Sequence, residues 1–336
     1  MLLARKGVER VLSALETEVV LVDIGASGEP PPIWKALMPF SVYVGFDPDS
    51  REVQEVSNSG FRRALLVNEA VTADAAQDEV RFYLTRSPYC SSTLEPDLDA
   101  LKNYLFSDLF IVENEAVVPA ATLNSVLHRL SIERVDWLKV DSQGTDLRLF
   151  ESLQPEIRSR VLALDVEPGL IDVYQGEDLF VDTHRALTQS GFWLSNLDVH
   201  GNARMRRETL HQVVADHPDI TEELLSRTVR VSPAWCEARY LRTLEWAAQA
   251  AFTKREYGTL WAFAMLDQQY GFALDLIVQY ERSFGPDAIS RLMQKETLAQ
   301  IRRLRNRNLP LTVARALLPT SLKHNLKKLL LAVRPS

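Results

Sequence analysis

Several short runs in this chain are apolar on both faces and close on a carboxylate, and this limits the fold more than any other feature. Val19-Val-Leu-Val-Asp23 and Trp137-Leu-Lys-Val-Asp141 are the clearest; Ser41–Asp47, Ala64–Ala70 and Val161–Glu167 have similar form. A strand with one wet face alternates apolar and polar residues, whereas a run apolar on both faces belongs inside a covered parallel sheet. Helical patterns at Pro31–Met38, Ser50–Ser59, Ala121–Arg129, Thr145–Leu153 and Asp178–Ser190 alternate with these runs. Further strands are expected at Glu79–Thr85 and Gly191–Asp198. The alternation predicts an α/β fold with a doubly wound, mostly parallel, Rossmann-like sheet.

From about Ala203 the pattern becomes helical. Thr221–Ser226, Ala234–Phe252, Arg255–Gln268, Phe272–Phe284 and Pro286–Asn306 carry apolar residues at three- and four-residue spacing. The expected division is a Rossmann-like domain over 1–205, a C-terminal α-helical appendage over 206–308 and a basic amphipathic tail over 309–336. In the tail, Leu322, Leu326, Leu329 and Leu330 share a helical face beside Lys323, Lys327 and Lys328. Such a helix either docks its leucines on the body or lies on an anionic membrane surface.

Charge sharpens this contrast. The net charge is −7, yet Arg291–Ser336 holds eleven Lys/Arg against Glu296 alone, a local +10 that leaves the rest at −17. An acidic body argues against a nucleic-acid partner. Two cysteines, Cys90 and Cys236, are too few for a disulfide framework or a zinc cluster. No apolar run approaches the ~18 residues of a membrane span, and the N-terminus lacks a signal-like pattern. The expectation is a cytoplasmic protein, peripheral on the inner membrane face if the tail takes the second of these roles, on the membrane surface.

Ligands in open α/β sheets bind beyond the carboxyl ends of the strands, so the strand-end acids mark the site. Asp141 closes one strand. Lys139, two residues earlier on the same face, needs a carboxylate partner and either orients Asp141 or stabilises the sheet. Asp23-Ile-Gly25-Ala26-Ser-Gly28 joins an acid to a glycine-containing turn, the simplest reading of which is a tight turn. A dinucleotide fingerprint has three glycines meeting a pyrophosphate, and Glu29 would repel one, so a nicotinamide oxidoreductase is disfavoured. An acid beside bare backbone suits a ligand carrying a cation, such as S-adenosyl-L-methionine. Asp47 either bonds both ribose hydroxyls or shares a helix cap with Asp49. Asn68 and Glu69 are placed to reach an adenine edge. Ser92 and Thr93, in the loop Ser87–Leu94, are placed to touch the cofactor, with Tyr89 offering a ring to a substrate.

The ordered set Val-Asp23-Ile-Gly-Ala-Ser-Gly, Gly-Phe-Asp47-Pro, Val-Asn68-Glu-Ala-Val, Ser91-Ser-Thr-Leu94, Trp137-Leu-Lys-Val-Asp-Ser-Gln-Gly144 and Leu164-Asp-Val-Glu167 resembles the FkbM family of class I methyltransferases over about residues 18–200. The family pattern at the fourth strand reads Leu-Lys-Ile-Asp-x-Glu-Gly; here Ser142-Gln143 stands in place of the usual pair. The resemblance implies S-adenosyl-L-methionine and methylation of a hydroxyl, on a sugar of a glycan or glycolipid or on a small natural product. Methyl transfer to a hydroxyl needs alignment and a proton acceptor; the candidates are Asp141, Glu167 and His184. Asp141, Asp165 and Glu167 together offer oxygen ligands that suit Mg²⁺. The simpler reading pairs Asp165 with Lys139 and leaves no metal site. Phe106–Pro119, with Asp108, Glu113 and Glu115, is expected to help form an acceptor lid, and Trp193, His200 and Arg204 to line a sugar site. The competing class is a non-catalytic binding module that retains the fold.

Overall fold

The computed structural model describes residues 2–48 and 60–317, with side chains over 5–48 and 60–306. The helix expected at 50–59 and the tail's side chains from 309 onward lie outside the described residues. The strands are β1 (Val19–Ile24), β2 (Ser41–Phe46), β3 (Arg63–Val67), β4 (Ala70–Thr72), β5 (Glu79–Thr85), β6 (Val112–Thr122), β7 (Trp137–Val140), β8 (Ala163–Val166), β9 (Phe192–Ala203) and β10 (Val231–Arg242). The main helices are α1 (Leu2–Ala14), α2 (Leu123–Arg129), α3 (Asp146–Glu151), α4 (Phe180–Gln189), α5 (Arg207–Asp216), α6 (Lys254–Leu266), α7 (Tyr270–Phe284) and α8 (Ala288–Leu317).

Seven strands form the central sheet in the order β3-β2-β1-β7-β8-β10-β9. The first five are parallel, and β10 runs antiparallel to both β8 and β9. The chain builds outward from β1 through β2 to β3, then crosses to β7 on the other side of β1. Between β1 and β7 lies the topological switch point where such sheets bind ligands. Every residue of β1 and β2 is buried, which is the reason both runs are apolar throughout. One face of the sheet, with Val20, Val22, Val44, Leu138, Val140 and Leu164, packs under α2, α3 and α4. The other face presents Val19, Leu21, Tyr43, Trp137 and Ala163 to α1, α6, α7 and the start of α8.

Three findings refine these expectations. Residues 234–252 are not one helix: Val231–Arg242 is a strand, followed by a short helix at Leu244–Gln249. Its period is two, with Ala234, Cys236, Ala238 and Tyr240 buried on one side. Spaced alanines mimic a helical stripe, and pairing along β9 decides against it. Second, the helices from Lys254 onward pack against the sheet. In α6 every residue from Glu256 to Met265 is buried, because this helix is sandwiched between the sheet and its neighbouring helices. The sheet and these helices share a core. Third, the expected lid at 106–119 includes most of a regular strand, β6, in a second sheet of order β4-β6-β5. Its acids are ion-paired: Glu115 with Arg81 at 2.8 Å, Glu113 with Arg86 at 3.1 Å and Asp108 with Arg207 at 3.2 Å.

Candidate active site

Gly25 follows β1 with φ of 78°, and a Cβ there would stand 2.2 Å from the Asp141 carbonyl oxygen. Only glycine lets the first turn pass this close to the end of β7. The Gly25 and Ala26 N–H groups both donate to the Phe46 carbonyl, at 3.1 and 3.0 Å, and the Asp141 N–H donates to the Ile24 carbonyl at 3.0 Å. Three strand ends are thereby tied together at the switch point. Gly28, at φ of 80°, has open space where its Cβ would be.

Asp23 is 2% exposed and does not face solvent. Its Oδ2 accepts from the Tyr43 hydroxyl at 3.1 Å and its Oδ1 from Lys139 Nζ at 3.2 Å. Tyr43 reaches it because Gly45, the register partner of Asp23, has no side chain: a Cβ there would meet the Tyr43 hydroxyl at 2.9 Å. Lys139 also lies 3.7 Å from Asp141 Oδ2. Burial works against the lysine's charge, but Asp23, Asp141 and Glu167 outweigh it and hold its pKa above the ordinary value. Burial raises Asp23, with Lys139 and Tyr43 pulling the other way.

The turn after β7 is built from side chains. Gln143 takes φ of 57° and Gly144 φ of 106°. Gln143 Nε2 donates to Asp141 Oδ1 at 2.7 Å, and its Oε1 lies 3.0 Å from the Tyr174 hydroxyl. The fully buried Ser92 donates to the Gln143 carbonyl at 2.7 Å and accepts from the Leu94 N–H at 3.0 Å. Asp146 accepts from the Ser142 hydroxyl at 2.5 Å and N–H at 3.0 Å, and from the Glu167 N–H at 2.7 Å. Burial pushes Asp146 up to about 6, against these hydrogen bonds. Glu167, just past β8, is pushed up to about 8 by burial and the Asp141 charge, with Lys139 opposing. Three carboxylates, Asp23, Asp141 and Glu167, thus act on one lysine, an acid-rich arrangement that favours a cation outside them.

The remaining candidates divide. Asp47 receives β3 through its N–H, which donates to the Val67 carbonyl at 3.2 Å, and the exposed Asn68 donates to the Asp47 carbonyl at 3.2 Å. The two therefore stand together beside the first turn. Glu69 is instead bound to Arg129 of α2. His184 lies on α4 with its ring stacked on Phe180 and its Nδ1 3.1 Å from the Tyr240 hydroxyl. Asp165 is paired not with Lys139 but with Arg239, at 2.8 and 3.0 Å, and Arg239 also holds Asp267 at 2.8 Å. This corrects the expected pairing: Lys139 and Arg239 both flank Asp165 in register, and Arg239 makes the bidentate contact. Among the described residues no group of three His, Cys, Asp or Glu is arranged to hold a metal ion. Trp193 packs on Phe272, His200 stacks on Trp235 with its Nε2 3.2 Å from Glu237, and Arg204 lies over Tyr104.

Tyr43, Gln143 and Tyr174 were not singled out as site residues from the sequence. Tyr43 was signalled in part, since it lies two residues before Gly45 and so shares its face. Tyr174, thirty-one residues beyond Gln143, left no local signal.

A comparison with curated proteins gives no match. Residues 40–194 match the family model of the methyltransferase FkbM domain, which spans β2 through the start of β9 and includes the Asp141 turn. The chain therefore carries an FkbM-family methyltransferase domain.

Proposed function

We propose that this protein is an S-adenosyl-L-methionine-dependent O-methyltransferase acting on a sugar hydroxyl of a glycan or glycolipid. The observation that carries the cofactor is the first turn. Bare backbone at Gly25–Gly28 lies at the switch point beside an acid-rich cluster with a single lysine. That combination suits a nucleoside bearing a sulfonium and an ammonium group. On this reading Asp47 takes the ribose and its neighbour Asn68 the adenine, while Asp23 acts from beneath by holding Lys139. S-adenosyl-L-methionine, when bound, supplies the methyl group and the leaving thioether.

The chain's own residues must then align a hydroxyl and accept its proton. Asp141 and Glu167 are the carboxylates at hand. Glu167 is the better matched acceptor near neutral pH, because its proton affinity is raised to about 8. His184, engaged with Tyr240, is the weaker candidate.

The sugar acceptor rests on the family resemblance. The middle of α8 supports work at an anionic surface, since Arg302, Arg303 and Arg305 are exposed there. No helix among the described residues is long and apolar enough to cross a membrane. The second reading, methylation of a small natural product, leaves these arginines and the tail without a lipid role. Sedimentation with anionic liposomes, comparing the full chain with one shortened after Asn308, separates the two.

Calorimetry with S-adenosylhomocysteine tests the cofactor, wild type beside Asp47→Ala. Micromolar binding that the substitution abolishes supports the reading. No binding by either protein would favour a non-catalytic module, the class that Gln143 in place of an acid suggests.

A further inference from the structure

We propose that Gln143 is a positioning residue that fixes the Asp141 carboxylate and couples it to the loop Ser87–Leu94. This rests on the cofactor reading above and deepens it. Gln143 is held on three sides. Its amide N–H groups include one donated to Asp141 Oδ1 at 2.7 Å. Its amide oxygen lies 3.0 Å from the Tyr174 hydroxyl, whose single proton is shared between that oxygen and the Cys90 carbonyl at 2.9 Å. Its own carbonyl accepts from the buried Ser92 at 2.7 Å. Both Cys90 and Ser92 belong to the loop: Ser92 touches Gln143 directly, and Cys90 is linked to it through Tyr174.

The chemistry fixes the amide's orientation. An ionised carboxylate only accepts, so the NH₂ end must face Asp141 and the oxygen must face the tyrosine. Gln143 also adopts a left-handed conformation, φ of 57°, which is uncommon for a residue with a long side chain. Asn and Gly adopt it more readily, so the backbone alone gives no reason for glutamine here. The side chain's two hydrogen bonds give one. Gly144 is in turn crowded by Leu94, Tyr174 and Glu177, with a Cβ placed 3.1, 3.3 and 3.0 Å from their atoms. The turn has little room to shift independently of the loop.

Three substitutions test this, read by calorimetry with S-adenosylhomocysteine across pH and by thermal melting. Gln143→Asn keeps an amide, suits the left-handed backbone and is too short to hold Asp141 in place. Its melting temperature should equal or exceed that of wild type, while affinity falls about tenfold, the worth of one charge-assisted hydrogen bond. Tyr174→Phe frees the amide's far end and should weaken binding in the same direction by less. Gln143→Glu keeps the length but sets a second carboxylate against Asp141, and the pair must share a proton. Its affinity profile should gain a titration step absent from wild type and from Gln143→Asn. The groups facing Asp141 are Lys139 on β7, Asp23 on β1, Asp146 on α3, Glu167 after β8 and Tyr174. All remain in the Gln143 variants, so the new step belongs to position 143.

Binding by wild type with unaltered affinity in Gln143→Asn, or a Gln143→Glu profile superimposable on wild type, overturns the inference and leaves the cofactor reading intact. Absence of binding by wild type overturns both.

Discussion

Lys139 Nζ lies 3.2 Å from Asp23 Oδ1, joining two strands that are neighbours in space and 116 residues apart in sequence. Parallel register makes them partners, and the row continues across the sheet: Asp23, Lys139, Asp165 and Arg239 alternate in sign over β1, β7, β8 and β10. Each charge sits beside its opposite, which is the condition for keeping ions near a sheet interior. Asp23 and Lys139 underlie the candidate site. Asp165 and Arg239 brace the sheet against α6 through Asp267.

Replacing the lysine tests the first half of this row. Lys139→Met leaves Asp23 buried with, among the described residues, Tyr43 as its remaining side-chain donor, and breaking such a pair costs about 3–5 kcal/mol. Asp23 already has a raised folded pKa, so its contribution to stability is present below its unfolded value and lost as pH rises. Without Lys139 that loss should deepen. Urea unfolding at pH 5 and pH 8 would show a larger deficit at pH 8; an equal deficit at both would refute the electrostatic account.

The second half of the row should behave differently. Arg239→Met orphans Asp165 and Asp267 and should destabilise by a similar ~3–5 kcal/mol. Affinity for S-adenosylhomocysteine, measured well below the melting temperature, should be unchanged. A large loss of affinity would place Asp165 in the binding site after all.

Gly25→Ala puts a Cβ at 2.2 Å from the Asp141 carbonyl and forces a left-handed alanine. Backbone strain of about 1–3 kcal/mol is expected before any clash is relieved. The turn must move away from β7, so both denaturant midpoint and cofactor affinity should fall. Gly28→Ala meets no neighbour within 4 Å among the described residues and should show mainly the conformational cost. Equal effects at the two positions would rule out the close approach as the reason for Gly25.

Asp146, Glu177 and Glu167 are raised to about 6, 7 and 8, chiefly by burial. A carboxyl raised in the folded state contributes stability that is complete below its unfolded value and disappears as pH climbs through the folded one. The melting temperature should therefore decline between about pH 5 and pH 9. Glu167→Gln mimics the protonated acid and should flatten the decline above pH 7. If Glu167 also accepts the hydroxyl proton, methyl transfer in wild type should rise through about pH 8 and the variant should lose it. A variant melting curve parallel to wild type over that range would mean that Glu167 does not titrate there.

Much of the fold was legible because the relevant signals are local. Full burial of β1 and β2 requires apolar residues at every position, and the strand-end acids and the glycines at positions 25 and 144 mark the turns directly. β10 was misread because its alternation is short, its alanines fit either period, and only pairing with β8 and β9 selects the strand. The helices from 254 onward were visible as helices, yet their place against the sheet face carrying Trp137 depends on where the chain returns.

By itself, then, the sequence determined the alternation of elements, the acids at strand ends and the turn that needs glycine, since each follows from a residue's own conformational limits or from periodicity along the chain. The tertiary structure alone decided which charge meets which: Asp165 with Arg239, Asp23 with Tyr43 and Lys139, Gln143 with Asp141 and Tyr174. The reason is range. A hydrogen bond or ion pair acts over about 3 Å, and except for Gln143 and Asp141 these partners become neighbours only when register, strand order and the return of distant loops bring them together.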